Sequence, residues 1–325
     1  VAEAMSLPHH RRAVLWLILA TAWWGFSFPL TKALYAGQRA IEPEASSWFL
    51  AALGHSARCA LGAVCLWPFV LRAGRIRPAE WRQGFGLGLA ASGGLFFQAD
   101  GLDHTLASTS AFLTQFCCVL VPLWLAAVHR RKLGWRAAGC VLLVLVGSAV
   151  LAEFDPGKMR LGRGEAETLL ATGFFTWQIL LLDRADFAEN RAPAATLVMF
   201  AVVAVVLGLV AFSAAPSPAA VWTVWQRPGN VALLVAETLF CSLFAFLLMN
   251  HWQRFVSATE AGIIYCFEPV FASCCALVLP GWLSGLMTTE YANESLTWRL
   301  LVGGGLILLA NVALQLGARP VCDAR

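Results

Sequence analysis

From Ala194 to Ala214 the chain reads AATLVMFAVVAVVLGLVAFSA, an apolar run without one Asp, Glu, Lys or Arg. A bilayer's hydrocarbon core is about 30 Å thick, and a helix needs roughly 20 apolar residues to cross it. This run meets that length, and apolar blocks recur along the whole sequence. Composition agrees: 59% of the 325 residues are hydrophobic and only 13% are charged, against about 25% charged in soluble domains. A soluble globule needs a polar surface that this composition does not supply. The expected class is therefore an all-α integral membrane protein.

Ten transmembrane helices are read, at about 13–34, 47–71, 84–102, 108–128, 135–152, 167–183, 194–214, 231–252, 259–280 and 298–317. The breaks between them are basic (72–82), charged with Pro156, Gly157 and Gly162 (153–167), proline-rich (215–230) or polar (281–297). The run from Ala13 to about Leu30 outlasts the ~7–15 residues of a signal-peptide core, so it is read as a retained span; Met5 is a second candidate start. With the N-terminus in the cytoplasm, fifteen of the 23 Lys and Arg fall on that side. Among them are Arg72, Arg75, Arg77 and Arg82, and Arg130, Arg131, Lys132 and Arg136. Seven fall on the other side, and Arg58 lies within a span. Positive charge stays inside, so both termini are expected in the cytoplasm of a multi-pass protein of the plasma (inner) membrane.

An internal repeat appears at an offset of 150. Asp100-Gly101-Leu102-Asp103-His104-Thr105-Leu106-Ala107-Ser108-Thr109-Ser110-Ala111 falls on Asn250-His251-Trp252-Gln253-Arg254-Phe255-Val256-Ser257-Ala258-Thr259-Glu260-Ala261. A proline follows in each new span, Pro122 and Pro269, and glycines recur at Gly139 and Gly147 and at Gly303 to Gly305. Five spans per copy is an odd number, so the second copy enters the membrane upside down. The expected organisation is two inverted five-helix repeats, 1–152 and 167–325, with a linker at 153–166. Inverted repeats are typical of secondary transporters, whose solute site lies near mid-membrane between the halves.

These residues resemble a known family. Trp24-Gly25 with Lys32, Arg58 opening an apolar run, Thr109-Ser110-Ala111-Phe112 before Val121-Pro122, and Trp252-Gln253-Arg254 followed by Ala258-Thr259-Glu260-Ala261, Tyr265 and Glu268-Pro269-Val270-Phe271-Ala272 are similar to the EamA branch of the drug/metabolite transporter superfamily. The resemblance implies a ten-helix permease with a central cavity, exporting small metabolites such as amino acids by alternating access. The chain departs from it after the fourth span, where His129-Arg130-Arg131-Lys132-Leu133 holds no acid, and in an insert at Ser284–Asn293.

Polar groups inside spans cost about 2.5–3.5 kcal/mol each on insertion scales for Arg or Asp, so they face the protein interior or a water path. Glu268 stands beside Pro269 and one turn from Tyr265. Two readings remain open for it: an acid that binds a cationic group or a coupling proton, or a structural carboxylate bonded between helices. Gln98, Gln115 and Gln178 with Trp177 lie well inside their spans, and Trp24 resembles an aromatic wall. These seven form the expected solute-binding set. Asp100, Asn250 and Gln253 lie near span ends and are read as solvated. Lys32 is read as snorkelling to the interface, and Arg58 as half of a structural ion pair.

Other functions find little support. Ten cysteines and six histidines show no Cys-x-x-Cys and no metal-ligand spacing, so no metal or cofactor is expected. Gly84-Phe85-Gly86-Leu87-Gly88 sits inside a span without a Lys-Ser/Thr; it is read as helix packing, not a phosphate loop. No basic stripe suggests nucleic acid; the expected partners are a small-molecule solute, a coupling proton and the bilayer. The alternative weighed is a membrane enzyme for lipid-linked substrates, with Asp183, Arg184, Asp186, Glu189 and Arg191 as its one dense loop.

Reporter fusions test the topology. Fusions after Leu71, Lys132 and Arg319 are expected to report cytoplasm, and fusions near Gly157 and Pro218 the opposite side. A cytoplasmic signal at Gly157 would break the five-plus-five organisation.

Overall fold

A computed structural model describes residues 7–128, 135–151, 162–182, 184–256, 258–287 and 290–317. Met5, the basic segment 129–134, residues 152–161 with Gly157, Asp183, and 318–325 with Arg319 and Cys322 lie outside these residues. So do the side chains of Cys118, Pro122, Thr259 and Glu260.

The described residues are helical, with no strand among them. The first half comprises α1 (Leu7–Arg39), α2 (Ser47–Arg72), α3 (Pro78–Asp103), α4 (Ala107–Thr114), α5 (Cys117–Val128) and α6 (Trp135–Leu151). There follow α7 (Arg163–Leu182), α8 (Ala192–Ala214), α9 (Ala220–Thr223), α10 (Pro228–Ala236), a π-helical stretch Glu237–Phe244, α11 (Ala245–Trp252), α12 (Ala258–Tyr265), α13 (Glu268–Ala276), α14 (Leu279–Met287) and α15 (Trp298–Gly317). The reason is chemical: hydrocarbon offers backbone N–H and C=O groups no partner, so apolar runs close their bonds internally. The start of α2 is capped by a side chain, Ser46 Oγ accepting from Phe49 N at 3.1 Å.

Among the described residues, five helical stretches are long and apolar enough to cross a membrane: His9–Arg39, Ser47–Arg72, Ala107–Val128, Ala192–Ala214 and Pro228–Phe255. Apolar stretches of α6 and α15 are shorter, at Ala138–Leu151 and Trp298–Ala313. The remaining expected spans fall on α3, on α7 and on the interrupted pair α12–α13. Both α3 and α7 carry charge near one end, Asp100 and Asp103 on α3 and Arg163, Glu165 and Glu167 on α7.

α2 lies along α8, α3 against α7 and α8, and α6 against α15. α1 packs on α11, α12 and α13, while α7 packs on α4 and α5. Small residues make the closest approaches, as expected where no hydrophobic force drives helices together. A Cβ on Gly147 would sit 2.7 Å from the Gly303 carbonyl, and one on Gly303 would sit 2.8 Å from that of Gly147. Gly84 of the glycine-rich run likewise faces Val198 and Ala195 of α8.

The polar connection after α14 crosses to the first half. Glu294 accepts from Ala107 N at 2.7 Å and from Ser108 Oγ at 2.5 Å, closing the N-terminus of α4. Within the insert, Ser284 Oγ donates to the Tyr291 carbonyl at 2.6 Å, and Asn293 Oδ1 accepts from Gly281 N at 2.7 Å. Lys32 does not snorkel outward: its ammonium turns inward and donates to the Thr105 carbonyl, in the turn between α3 and α4.

Gly25 sets the α1–α13 contact. A Cβ there would lie 2.6 Å from Phe271 Cβ and 2.8 Å from Ala272 N, against backbone that has no room to yield. Gly25→Ala is expected to lower stability by about 1–3 kcal/mol, the usual cost of overpacking. Gly54→Ala, where nothing lies within 4 Å, is the neutral control. Thermal unfolding of both in detergent is the measurement.

Candidate functional site

Two helices are broken at corresponding places. α4 ends at Thr114 and α5 begins at Cys117; α12 ends at Tyr265 and α13 begins at Glu268. At both breaks the backbone tightens: Phe116 N bonds the Leu113 carbonyl and Phe267 N that of Ile264, each at 3.1 Å or less. The breaks face each other, and Gln115 Nε2 donates to Glu268 Oε2 at 3.3 Å. Glu268 opens α13 with Pro269 as its neighbour. A carboxylate in a helix's first turn meets the positive end of the peptide dipoles. No Lys or Arg pairs with it among the described residues.

A cavity of about 100 Å³ opens at these breaks. Trp24, Gln98, Gln115, Gln178, Tyr265 and Glu268 all line it. Trp24 meets Phe246 and Tyr265 edge-on, with ring centroids 5.6 and 5.7 Å apart, and its buried indole Nε1 has no hydrogen-bond partner among the described residues. Gln98 Nε2 donates to Thr114 Oγ1 at 3.0 Å. Gln178 lies 3.7 Å from Met199 Sδ. Tyr265 OH donates to Gln253 Oε1 at 2.8 Å. Trp177 is not brought to the cavity. Neighbouring helical positions point about 100° apart, and with Gln178 inward Trp177 is 42% exposed on the outer surface. Trp23 also turns away, stacking on Phe240.

Three residues read as solvated are paired instead. Asp100 is fully buried and accepts from Arg163 Nη2 at 2.7 Å. Asn250 donates to Thr196 Oγ1 at 2.7 Å, and Gln253 is buried beneath Tyr265. Their helix ends are covered by α7, α8 and α12, which the sequence alone does not place.

A second polar cluster reaches the same cavity through Thr31, His55 and Arg58. Arg58 is 4% exposed and lies 3.7 Å from Glu237 Oε2, the expected ion pair with its partner now identified. Glu237 Oε1 accepts from Thr31 Oγ1 at 2.6 Å. Arg58 Nε donates to Ser242 Oγ at 3.1 Å, and Nη1 lies 3.4 Å from His55 Nε2. His55 Nδ1 sits 3.1 Å from the Ala51 carbonyl, so a proton on Nδ1 leaves Nε2 free to accept from Arg58. Glu237 opens the π-helical stretch, a wide turn frequent at functional sites. Sequence reading missed Glu237, yet the signal is the one that marks Glu268: a lone acid inside an apolar helix. The charged loop at 184–191 is otherwise occupied. Arg184 pairs with Asp186 in the open, and Arg191 with Glu80. No metal-binding group occurs among the described residues.

Comparison with known proteins follows the same lines. Residues 11–152 match the EamA-like transporter family. An uncharacterized transporter from Archaeoglobus fulgidus is 25% identical over 307 residues, covering 94% of this chain and 86% of that protein. A protein of known crystal structure shares the fold at a TM-score of 0.59 with 18% identity, over 94% of this chain and 97% of the other.

Removing one partner of a buried pair strands the other's charge, at a cost of about 3–5 kcal/mol, whereas removing both is often neutral. Arg58→Leu and Glu237→Leu are each expected to lower the unfolding temperature, and the double variant to recover most of the loss. A double variant no better than the worse single one would show that the two charges are not coupled.

Proposed function

We propose, from the match of residues 11–152 to the EamA-like transporters and the relatedness of most of the chain to an archaeal transporter, that this chain is an EamA-type permease of the drug/metabolite transporter superfamily. It is a secondary transporter that moves small metabolites, amino acids or related compounds, outward across the plasma membrane by alternating access. Its ten spans form two inverted five-helix halves, 1–152 and 167–325, joined at 153–166, with both termini in the cytoplasm.

The observation that carries this reading is the hydrogen bond between two broken helices, Gln115 at one break and Glu268 at the other. Broken helices at corresponding places in the two halves are where transporters build their solute sites, because irregular backbone is tolerated only where it lines a cavity. The packing supports the two-half reading as well. Let α1 exchange with α7, α2 with α8, α3 with α10–α11, α4 and α5 with α12 and α13, and α6 with α15. The α2–α8 and α6–α15 contacts then map onto themselves, and the α3–α7 contact maps onto α1–α11.

In this reading Glu268 receives the cationic group of the solute, or a coupling proton. Gln98, Gln115 and Gln178 hold its polar groups, and Trp24 and Tyr265 form the wall for its apolar part. The Arg58–Glu237 pair is internally neutral, so the cavity's uncompensated charge is that of Glu268. Trp177, facing outward, has no part.

Glu268→Gln keeps size and hydrogen bonding but removes the charge. It is expected to abolish transport in proteoliposomes while the protein inserts and purifies folded. With proton coupling, wild-type transport also responds to an imposed pH gradient, and any exchange left in the variant does not. Full transport by Glu268→Gln with unchanged pH dependence would move the site elsewhere. Loss of thermal stability with transport per folded molecule intact would make the carboxylate structural.

A further inference from the structure

A groove on the outer surface between α2, α3 and α8 belongs to no part of the transport site. Val64, Trp67 and Leu71 of α2, Trp81 of α3 and Val198 and Ala201 of α8 line it, and Arg75 stands at its end. The apolar walls are open: Val64 is 69% exposed, Trp67 55% and Trp81 53%.

The loop carrying Arg75 is held rigidly. Gly74 takes a left-handed turn at φ 104°. Arg191 donates to the Ala73 and Arg75 carbonyls, both at 2.7 Å. Arg191 is itself held by Glu80, through Nε to Oε1 at 2.8 Å and Nη2 to Oε2 at 2.9 Å. Arg77 takes further bonds from the same carboxylate, with its backbone N donating at 2.8 Å. Hydrogen bonds from Arg191 above all, and from Arg77, hold the Glu80 carboxyl down to about 2, so it stays ionised. Two arginines thus share one acid. Arg75 and its neighbour Arg72 have no acidic partner among the described residues, and Arg82 lies over the Phe187 ring at 5.4 Å. The result is a fixed backbone presenting an unneutralised guanidinium at the end of an apolar trough flanked by two tryptophans.

We propose that this groove binds one anionic phospholipid, its phosphate on Arg75 and one acyl chain between Trp67, Trp81 and Val198. The chemistry is complementary at each end. Tryptophan prefers the headgroup level, a guanidinium matches phosphate geometry, and the side chains of the trough give an acyl chain apolar contacts along its length. The proposal rests on the chain's being a multi-pass membrane protein and not on the transport reading, so failure of the Glu268 test leaves it standing.

The experiment uses the whole protein in neutral detergent with equal amounts of phosphatidylglycerol and phosphatidylcholine of the same acyl chains. Native mass spectrometry reads the retained lipid, and thermal unfolding reads its effect. Phosphatidylglycerol is expected to be retained about fivefold over phosphatidylcholine, the factor for ~1 kcal/mol per basic side chain at an anionic surface, and to raise the unfolding temperature. Arg75→Glu should erase the preference, and Ala201→Trp, which fills the trough, should lower retention of both lipids. Arg82→Ala, engaged elsewhere, should behave as wild type. Equal retention of the two lipids by the wild type overturns the site. So does wild-type behaviour of any folded Arg75→Glu or Ala201→Trp protein, or equal stabilisation by inorganic phosphate, which would mean a free anion rather than a lipid.

Discussion

A polar group left alone in hydrocarbon costs several kcal/mol, and most of this molecule's organisation follows from avoiding that cost. The backbone answers it with helices. Side chains answer it by meeting other polar side chains across helices: Thr31 with Glu237, Arg58 with Ser242 and Glu237, Gln98 with Thr114, Gln115 with Glu268. Each contact joins residues far apart in sequence or on different helices, so the polar groups that are hardest to bury are also the ones that fix how the helices assemble.

The two buried acids, one lining the cavity and one behind it, stand in unlike settings. Glu237 faces a guanidinium and a hydroxyl and is fully buried. Glu268 has a neutral amide as its hydrogen-bonding neighbour and sits where a helix starts afresh. Under the proposed function the first acid neutralises Arg58 of the wall and the second is the group whose charge is open to change. A buried ion pair contributes little net stability once desolvation is counted, but its contacts tie α1, α2 and the π-helical stretch together beside the cavity.

Much of this was readable in the sequence, for reasons that can be named. Apolar runs as long as 194–214 leave no structure but a buried or membrane helix. Glu268 and Arg58 stood out because charge in such a run demands an explanation. Other features depended on tertiary placement. Glu237 lies 179 positions from Arg58, and nothing local links them. The breaks at 115–116 and 266–267 hold no glycine or proline, so composition does not announce them. Trp177 and Gln178 are adjacent, and choosing between them needs the rotation of α7, which its neighbours set. Lys32, Asp100 and Gln253 looked like solvated ends until the helices covering them were known.

The non-helical connection between α14 and α15 that carries Glu294 also bears on how α4 is held. Residues 290–297 form no helix, and eight extended residues reach about 26 Å at ~3.3 Å each. The connection is pinned to its own neighbours by Asn293 on Gly281 and by Ser284 on Tyr291, and it reaches the first turn of α4 through one carboxylate, that of Glu294. The hold of this connection on α4 therefore consists of hydrogen bonds to a single side chain and not of continuous backbone.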